Sequence, residues 1–539
     1  MANNFKRIID RQAWVQVAPA PNAHAAGAGM ASDLRNDLSR NPFVYQLVSN
    51  TVLNRYNAIT KAWNFVVSPA LAGTFGSGAG AVFAPSLGLV GSISTGCTTT
   101  SITTSTAMTA VAPNMFANRG GSGEYGFRVR IIGSSAGGSG KIEERWIIGN
   151  TGGTTPTLLL NAALSFTPAS GDTYEILGGR VFMLGSGTLA SGSWKSFEVA
   201  ANTLATKTQT NLAATISTDF SALALDEQYV PYDHKPGEGF VIGASTYDAG
   251  SAKGCLSATA TAAGTITGQA AAGDASVLAN EYRNFQIRVV EDTATPTAVN
   301  QRRVIASHTA GPSAVYTLGT NWTVQPSATA KFVIEYPNLI ILRSTATTSL
   351  YTYNYGTATV NNGTGSIAAD AWSTTYFAAA GNAHGAGVTM FPSFGIGPDT
   401  AKNSRHSYVY CFRGGNTSLD LFDIAGGATG SWSAAVVYDG SGAATPNTGT
   451  CGKYAPFDNT GRFGYMNIYV ASAISQIYRF DVQNRVLMPF TPTDWIQSGT
   501  AATGDRLGTI VAIDGTDKYT NIVLLSHLST IAQELIVQT

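Results

Sequence analysis

Part of this chain is written twice, and that narrows its possible folds more than any other property. Residues 158 positions apart match over a long stretch: Cys97 with Cys255, Phe127 with Phe285, Arg130 with Arg288, Arg145 with Arg303, Thr151 with Thr309, Pro168 with Pro326, Leu184 with Leu342 and Ser186 with Ser344. The offset reads as constant and free of gaps. A repeat has to be recognised before a fold is assigned, because each copy buries its apolar face within its own unit or against its neighbours. The repeated unit is β-rich and sits inside a larger repeating frame, which suits a building block better than an enzyme.

The larger frame is a fainter repeat that runs through the whole chain. Its clearest part is an apolar strand, a small-residue turn and a second strand with aromatic and polar residues. It occurs as Phe43–Ser49 with Leu53–Asn57 and then Ala62-Trp63, and again as Val181–Ser186 with Trp194–Val199. Leu339–Ser344 with Leu350–Tyr355, Tyr408–Gly415 with Leu419–Ile424, Asn467–Ser472 with Ile477–Val482, and Asn521–Ser526 with Ile531–Val537 complete six copies. Glycine-rich segments precede them as candidate first strands: Gly27–Met30, Gly78–Phe83, Gly237–Ile242 and Gly385–Met390, with weaker ones at Cys451–Tyr454 and Gly508–Val511. Glycine there lets backbones approach closely, as a crowded centre requires. Units of this size with several strands each are the mark of propeller blades.

The expectation is therefore an all-β chain: a six-bladed β-propeller with two homologous small β-sandwich or barrel insertions. The organisation reads as an N-terminal arm (1–12), propeller (13–94), inserted module 1 (95–178), propeller (179–252), inserted module 2 (253–336) and propeller (337–539). Ala13–His24 matches Ala371–His384. Residues 13–20 are thus expected as the outermost strand of the C-terminal blade, closing the ring and removing exposed edges. Each module is expected to carry four strands, at 127–132, 145–148, 157–160 and 173–176 and at the matching second-copy positions. Helix signals are absent except for one short turn over Ala31–Ser39.

Composition agrees and excludes several classes. Only 12% of residues are charged, about half the usual share, and Gly, Ala, Ser and Thr fill the gap. Aromatics at 10% argue for a folded chain. Net charge is zero with no basic stripe, which argues against nucleic acid as the main partner. Low charge leaves contacts with other protein chains open. No apolar run is long enough to span a membrane. The N-terminus lacks the apolar core of a signal peptide, so synthesis in the cytoplasm is expected. Four cysteines are too few for a disulfide framework. Cys97 and Cys255 read as equivalent packing positions, and Cys411 and Cys451 as ordinary reduced thiols.

The sequence assembles no catalytic constellation. The six histidines, His24, His234, His308, His384, His406 and His527, show no metal-ligand spacing. His24 and His384 precede equivalent glycine turns and read as turn residues. Arg55 and Arg479, each beside an aromatic, read as arginines lying over strand surfaces. Asp423 and Asp481 read as turn caps. Glycine-serine runs lack the lysine of a phosphate loop. No catalytic residue, cofactor or metal is expected.

Two resemblances follow from these residues. Tyr408–Gly415 leading to Leu419–Ile424 and Trp432 resembles kelch-type propellers. The modules resemble a small β unit of tailed-bacteriophage virion proteins, in Phe285–Val290, Gln301–Ser307 and Trp322–Thr329; the first copy departs from it at Lys141–Trp146 and Leu164–Ala169. The resemblance implies a virion structural component of collar, tail, baseplate or capsid decoration. Its partners would be other virion proteins in symmetric copies, docked through the modules and through an arm bearing Lys6, Arg7, Asp10 and Arg11. The rival readings are a surface receptor or glycan-binding protein, and a glycan-active propeller enzyme.

Overall fold

The computed structural model describes residues 14–16, 18–22, 29–32, 43–48, 52–57, 61–65, 75, 79–84, 87–109, 111–117, 126–133, 141–189, 191–213, 215–216, 221–225, 256–268, 278–311, 313–343, 347–385, 387–393, 407–440, 445, 451–455, 463–469, 475–481, 484–489, 506–513, 519–526 and 532–537. The chain is all-β. A single turn of 3-10 helix, Pro296–Ala298, is the one helix among the described residues. The short helix expected over Ala31–Ser39 is contradicted at its start, where Met30–Ser32 is a strand; the remainder lies outside the described residues.

Among the described residues six four-stranded antiparallel sheets form the frame. The first comprises Met30–Ser32, Phe43–Leu47, Leu53–Asn57 and Ala62–Phe65. The second comprises Gly80–Ala84, Arg180–Leu184, Trp194–Glu198 and Thr203–Thr206. The third comprises Ser221–Leu225, Leu339–Arg343, Leu350–Asn354 and Ala371–Ser373. The fourth runs through Thr389–Ser393, Tyr408–Phe412, Leu419–Asp423 and Ser431–Ser433. The fifth runs through Cys451–Ala455, Phe463–Tyr469, Ser475–Asp481 and Val486–Pro489. The sixth takes Arg506–Ile513, Tyr519–Ser526 and Ala532–Val537 from one end of the chain and Trp14–Gln16 from the other, with Trp14 opposite Leu535. The first strand of each sheet lies beside the first strand of the next, and that of the sixth lies beside that of the first. Gly29 shows how tight this contact is: its amide donates to Ala79 O at 2.7 Å, and a Cβ there would overlap the Ala81 amide.

One of the glycine-rich starts is misplaced. The first strand of the third sheet is Ser221–Leu225, paired along its length with Leu339–Arg343; Gly237–Ile242 lies outside the described residues. In the first and fourth sheets the strand begins at the end of the glycine-rich segment, at Met30 and Thr389. Alternating Ala and Leu over 221–225 fits a strand as well as the glycine motif does.

The two modules leave the frame between first and second strands of the second and third sheets. Module 1 is a six-stranded curled sheet in the order Leu89–Ser92, Thr173–Leu177, Arg128–Ile132, Ile142–Asn150, Thr157–Leu160, Ser101–Thr103. Bridges Ile93–Thr104 and Thr98–Ser101 draw its two ends together. Module 2 has the same order and closes fully as a barrel of Leu256–Ala262, Thr265–Gly268, Val315–Leu318, Arg302–His308, Gln286–Glu291 and Lys331–Glu335. Both inner faces are apolar, with Ile102, Val129, Ile131, Ile147 and Leu158 in one and Ile266, Ile287, Val289, Ile305 and Tyr316 in the other.

Strand register corrects the gap-free offset. From Phe127 onward the twins do stand 158 apart: Ile147 donates to Phe127 O and Ile305 to Phe285 O. Earlier residues do not. Ile102 faces Leu158 while Ile266 faces Tyr316, so these twins stand 164 apart. Thr98 bridges Ser101 as Ala262 pairs Thr265, which makes Thr261 the counterpart of Cys97. The Cys97–Cys255 match is therefore a coincidence of composition, and Cys255 itself lies outside the described residues. The offset falls from 164 to 158 along the chain because 12 residues separate Asn114 from Phe127 and only four separate Asn280 from Phe285.

Candidate functional site

Three places gather polar or titratable groups: a junction between the third and fourth sheets, the buried outward faces of the module strands, where Ile132, Ile142, Val290 and Val333 also cluster, and a cavity beside module 1. At the junction Arg343 is fully buried at the end of its strand. Its guanidinium donates to the carbonyls of Thr347 at 2.9 Å and of Thr348 and Ser349 at 2.6 Å, and to His384 Nδ1. His384 Nε2 stands 3.4 Å from Asp420 Oδ2. Arg413 grips Asp420 with two parallel bonds of 2.8 and 2.6 Å, the bidentate geometry that strengthens such pairs. The Arg343 guanidinium also lies over the Trp432 ring at 5.5 Å. Burial pushes the His384 imidazole down to about 4, helped by Arg343 and opposed by Asp420. His384 is thus a neutral, fully buried stitch between two sheets, which corrects its reading as a turn residue. Nothing in the sequence spacing joins residues 343, 384 and 420; only sheet packing does.

The modules bury related ion clusters. In module 1, Arg130 Nε meets Glu144 at 2.9 Å, Arg128 meets the other oxygen of Glu144 at 2.6 Å, and Glu175 lies 3.6 Å from Arg130. Glu175 also accepts the Gly88 amide at 3.0 Å where the chain enters the module. In module 2, Arg288 pairs with Glu335 (Nε at 2.7 Å), and Arg302 lies 3.6 Å from the same carboxylate. Arg130 and Arg288 are twins, but Glu144 has become Arg302, directly opposite Arg288 in register. Arg145 and Arg303 are twins in detail, bonding to Ala163 O at 3.1 Å and Asn321 O at 2.7 Å.

His308 replaces Asn150. Asn150 Oδ1 accepts the Phe116 amide at 2.8 Å while Nδ2 donates to Thr151 O at 2.8 Å. His308 Nε2 accepts the Tyr282 amide at 2.9 Å while Nδ1 faces Thr309 O at 2.9 Å. A carbonyl only accepts, so Nδ1 carries the proton and the ring is neutral. Burial lowers His308 to about 4.

The other residues singled out from sequence are scattered. The Arg55 guanidinium sits 4.2 Å over the Phe43 ring, and Arg479 is half-buried on the fifth sheet. Asp423 accepts the Ala425 amide at 3.0 Å, and Asp481 the Asn484 amide at 3.1 Å. Cys411 is a free, buried thiol pushed up to about 12 by burial; Cys97 is free and half-buried. The side chain of Cys451 is not described, and His24, His234, His406, His527 and the arm residues Lys6, Arg7, Asp10 and Arg11 lie outside the described residues. Among the described residues no group of three or more His, Cys, Asp or Glu is arranged to hold a metal ion.

The cavity, about 240 Å³, lies between module 1 and the second sheet. Val90, Met108, Met115, Phe116, Tyr174 and Thr203 are among its walls. It joins apolar side chains to threonine hydroxyls and holds no ionisable pair.

No family model and no curated protein matches the chain. Among solved structures, Saccharomyces cerevisiae Sqt1 aligns over 98% of this chain and 100% of its own, at 9% identity and a TM-score of 0.30. An auxiliary nutrient binding protein from Bacteroides thetaiotaomicron aligns over 75% and 78%, at 10% identity and 0.21. A mutant NanB sialidase from Streptococcus pneumoniae aligns over 98% and 94%, at 10% identity and 0.19. Likenesses this remote carry no argument about fold or function.

Proposed function

We propose that the six sheets are blades of a closed, kelch-like β-propeller, and that the protein is a structural component of a tailed-phage virion. It acts as an assembly platform. The cyclic succession of first strands supports the ring reading. So does a recurring latch: Trp63 donates its indole N–H to Ala18 O at 2.9 Å, just as Trp432 donates to Ala378 O at 2.9 Å. In each case the outer strand of one sheet holds the segment that leaves the outer strand of the sheet before. Trp14–Gln16 thus takes the place in the sixth sheet that Ala371–Ser373 takes in the third.

The observation that carries the platform reading is the pair of homologous β modules set into adjacent sheets of one frame. Such an arrangement presents two related docking bodies at a fixed spacing. A glycan-binding reading would use exposed aromatics. Among the described side chains every Trp and Tyr is buried or half-buried, so the assembly reading is favoured. Cryo-EM of the purified particle tests it. Ordered copies of this chain contacting other virion proteins through the modules are expected. A particle at side-chain resolution with no density for the chain would overturn it.

A further inference from the structure

Module 1 returns to the frame through a joint unlike that of its twin. Its strand Thr173–Leu177 ends at a Gly178-Gly179 link, which carries the chain straight into Arg180–Leu184 of the second sheet. Gly179 takes φ +72°, a backbone conformation that favours glycine. A Cβ on Gly178 would stand 2.8 Å from Ala200 Cβ, so the link lies directly on the turn over 199–202. Module 2 makes the same link with Tyr336-Pro337. Proline fixes its own φ. Tyr336 is fully buried, its ring is 4.6 Å from that of Phe285, and Gln286 Nε2 donates to Tyr336 O at 3.1 Å. One link is built to turn and the other to stay.

A buried carboxylate is set against the flexible link. Glu198 immediately precedes the turn and lies opposite Arg180 in register. Arg180 Nε donates to its Oε2 at 2.6 Å, while its Oε1 is buried without a well-formed hydrogen bond. Both residues lie on the sheet face of Phe182 and Trp194, which pack on Tyr353 of the third sheet. From module 1, Glu175 repels Glu198 and is itself 3.6 Å from Arg130. From the third sheet, Tyr353, bonded to Asp370 at 2.9 Å, faces Arg180. Burial pushes the Glu198 carboxyl up to about 7, opposed by Arg180 and the Ala200 amide and reinforced by Glu175. The Arg180 side chain is 26% exposed, so solvent screens its attraction while Glu198 bears the full cost of burial. Module 2 has Asn338 and Tyr355 in these places, with the Tyr355 amide bonded to Asn338 O at 3.1 Å.

We propose that module 1 sits on a proton-operated hinge: a proton on Glu198 holds the joint shut, and its loss lets the module pivot about Gly178-Gly179. In the closed joint Glu198 is kept from water, which favours the neutral acid. In the open joint the carboxylate is hydrated and holds its proton far less tightly. A proton that binds the closed form more tightly shifts the equilibrium towards it. The closed form keeps the proton up to about pH 7 and the open form only to the ordinary 4.5. Closure therefore strengthens as pH falls through that interval and is flat on either side. The spacing between the two docking bodies is then set by pH, a regulation that rests on the platform reading for its purpose.

Hydrogen exchange of the full chain at about pH 5 and about pH 8, corrected for intrinsic rates, tests it. The amides of Gly88, bonded to Glu175, and of Val199, bonded to Gly179 O, report on the joint. Both are expected to lose protection by about tenfold or more at the higher pH, while Leu339 and Tyr355 at the module 2 joint keep theirs. Glu198→Gln is neutral throughout, so its joint is expected to stay protected at both. Equal protection of the wild-type joint at the two pH values overturns the proposal, and so does a variant that responds as the wild type does. If the variant does not fold, infrared difference spectra of the wild type decide. A buried carboxyl C=O band lost between the two pH values is expected, and its absence overturns the proposal. Neither result bears on the platform reading, which stands or falls on particle density.

Discussion

Modules 1 and 2 share strand order, a repeated arginine clamp and an apolar interior, yet they solve the same problems with different residues. Module 1 neutralises two buried arginines with two carboxylates. Module 2 sets Arg288 opposite Arg302, with Glu335 bonded to Arg288 and 3.6 Å from Arg302. Module 1 closes its loop bond with an amide, module 2 with an imidazole. A hairpin of the third sheet, Val360–Asn361 with Ser366–Ile367, lies against Ala306 and Gly319 of module 2, and the second sheet has a tight turn over 199–202 in its place. Duplication preserved the ladder, because register is enforced by the alternation of inward and outward side chains. It left free whatever only had to satisfy charge or cover a face.

The largest contrast is expected at the carboxylate that the two arginines share. Glu335→Gln takes the negative charge from the buried Arg288, which faces the half-buried Arg302, a loss of about 3–5 kcal/mol, read by urea or thermal unfolding. Glu144→Gln leaves Glu175 beside Arg130 and is expected to cost about 1–3 kcal/mol. Equal losses would break the contrast between the two clusters.

The hairpin comes next. Gly319→Ala drives a methyl into the Asn361 carbonyl and is expected to cost about 1–3 kcal/mol. The twin Asn161 is exposed and accepts the Trp146 amide at 2.9 Å. Asn161→Ala is expected to lose about 1 kcal/mol from that bond alone. Hydrogen exchange should show the Gly319 change loosening the 360–367 hairpin, and no frame segment responding to the Asn161 change.

The smallest effect at neutral pH is expected for His308→Asn, which installs the module 1 solution: within about 1 kcal/mol at pH 7. The pH response separates the two. The imidazole falls from 6.5 to about 4 on folding, so between those values the unfolded chain binds the extra proton. Wild-type stability from this site is full above pH 6.5, declines as pH drops to about 4, and is flat below that. The variant lacks this contribution, while His384, shifted the same way, keeps its own in both proteins. Identical acid profiles for the two proteins would reject the neutral-histidine assignment.

Much of the frame was legible in the sequence. Phe43–Leu47, Leu419–Asp423 and Ala532–Val537 are strands at the apolar runs of the repeat, and Trp14–Gln16 was traceable through its likeness to residues 371–373. What misled was similarity of composition. In a chain rich in Gly, Ala, Ser and Thr, Cys97 and Cys255 align by chance, and Gly237–Ile242 resembles a strand start while Ser221–Leu225 does not stand out. Four strands per module were read where six exist, because Leu89–Ser92 and Ser101–Thr103 are short and have little apolar signal. The junction of Arg343, His384 and Asp420 was invisible, since its members come from two sheets and meet only on packing.

The pairing of Trp14–Gln16 with Ala532–Val537 joins segments more than 500 residues apart in sequence. A contact of that separation carries a large loop-closure entropy and forms late in folding. Until it forms, one edge of Ala532–Val537 offers its free amides and carbonyls to any other strand. The sheet that joins the most distant segments is thereby the one most exposed to exchange of a strand between copies.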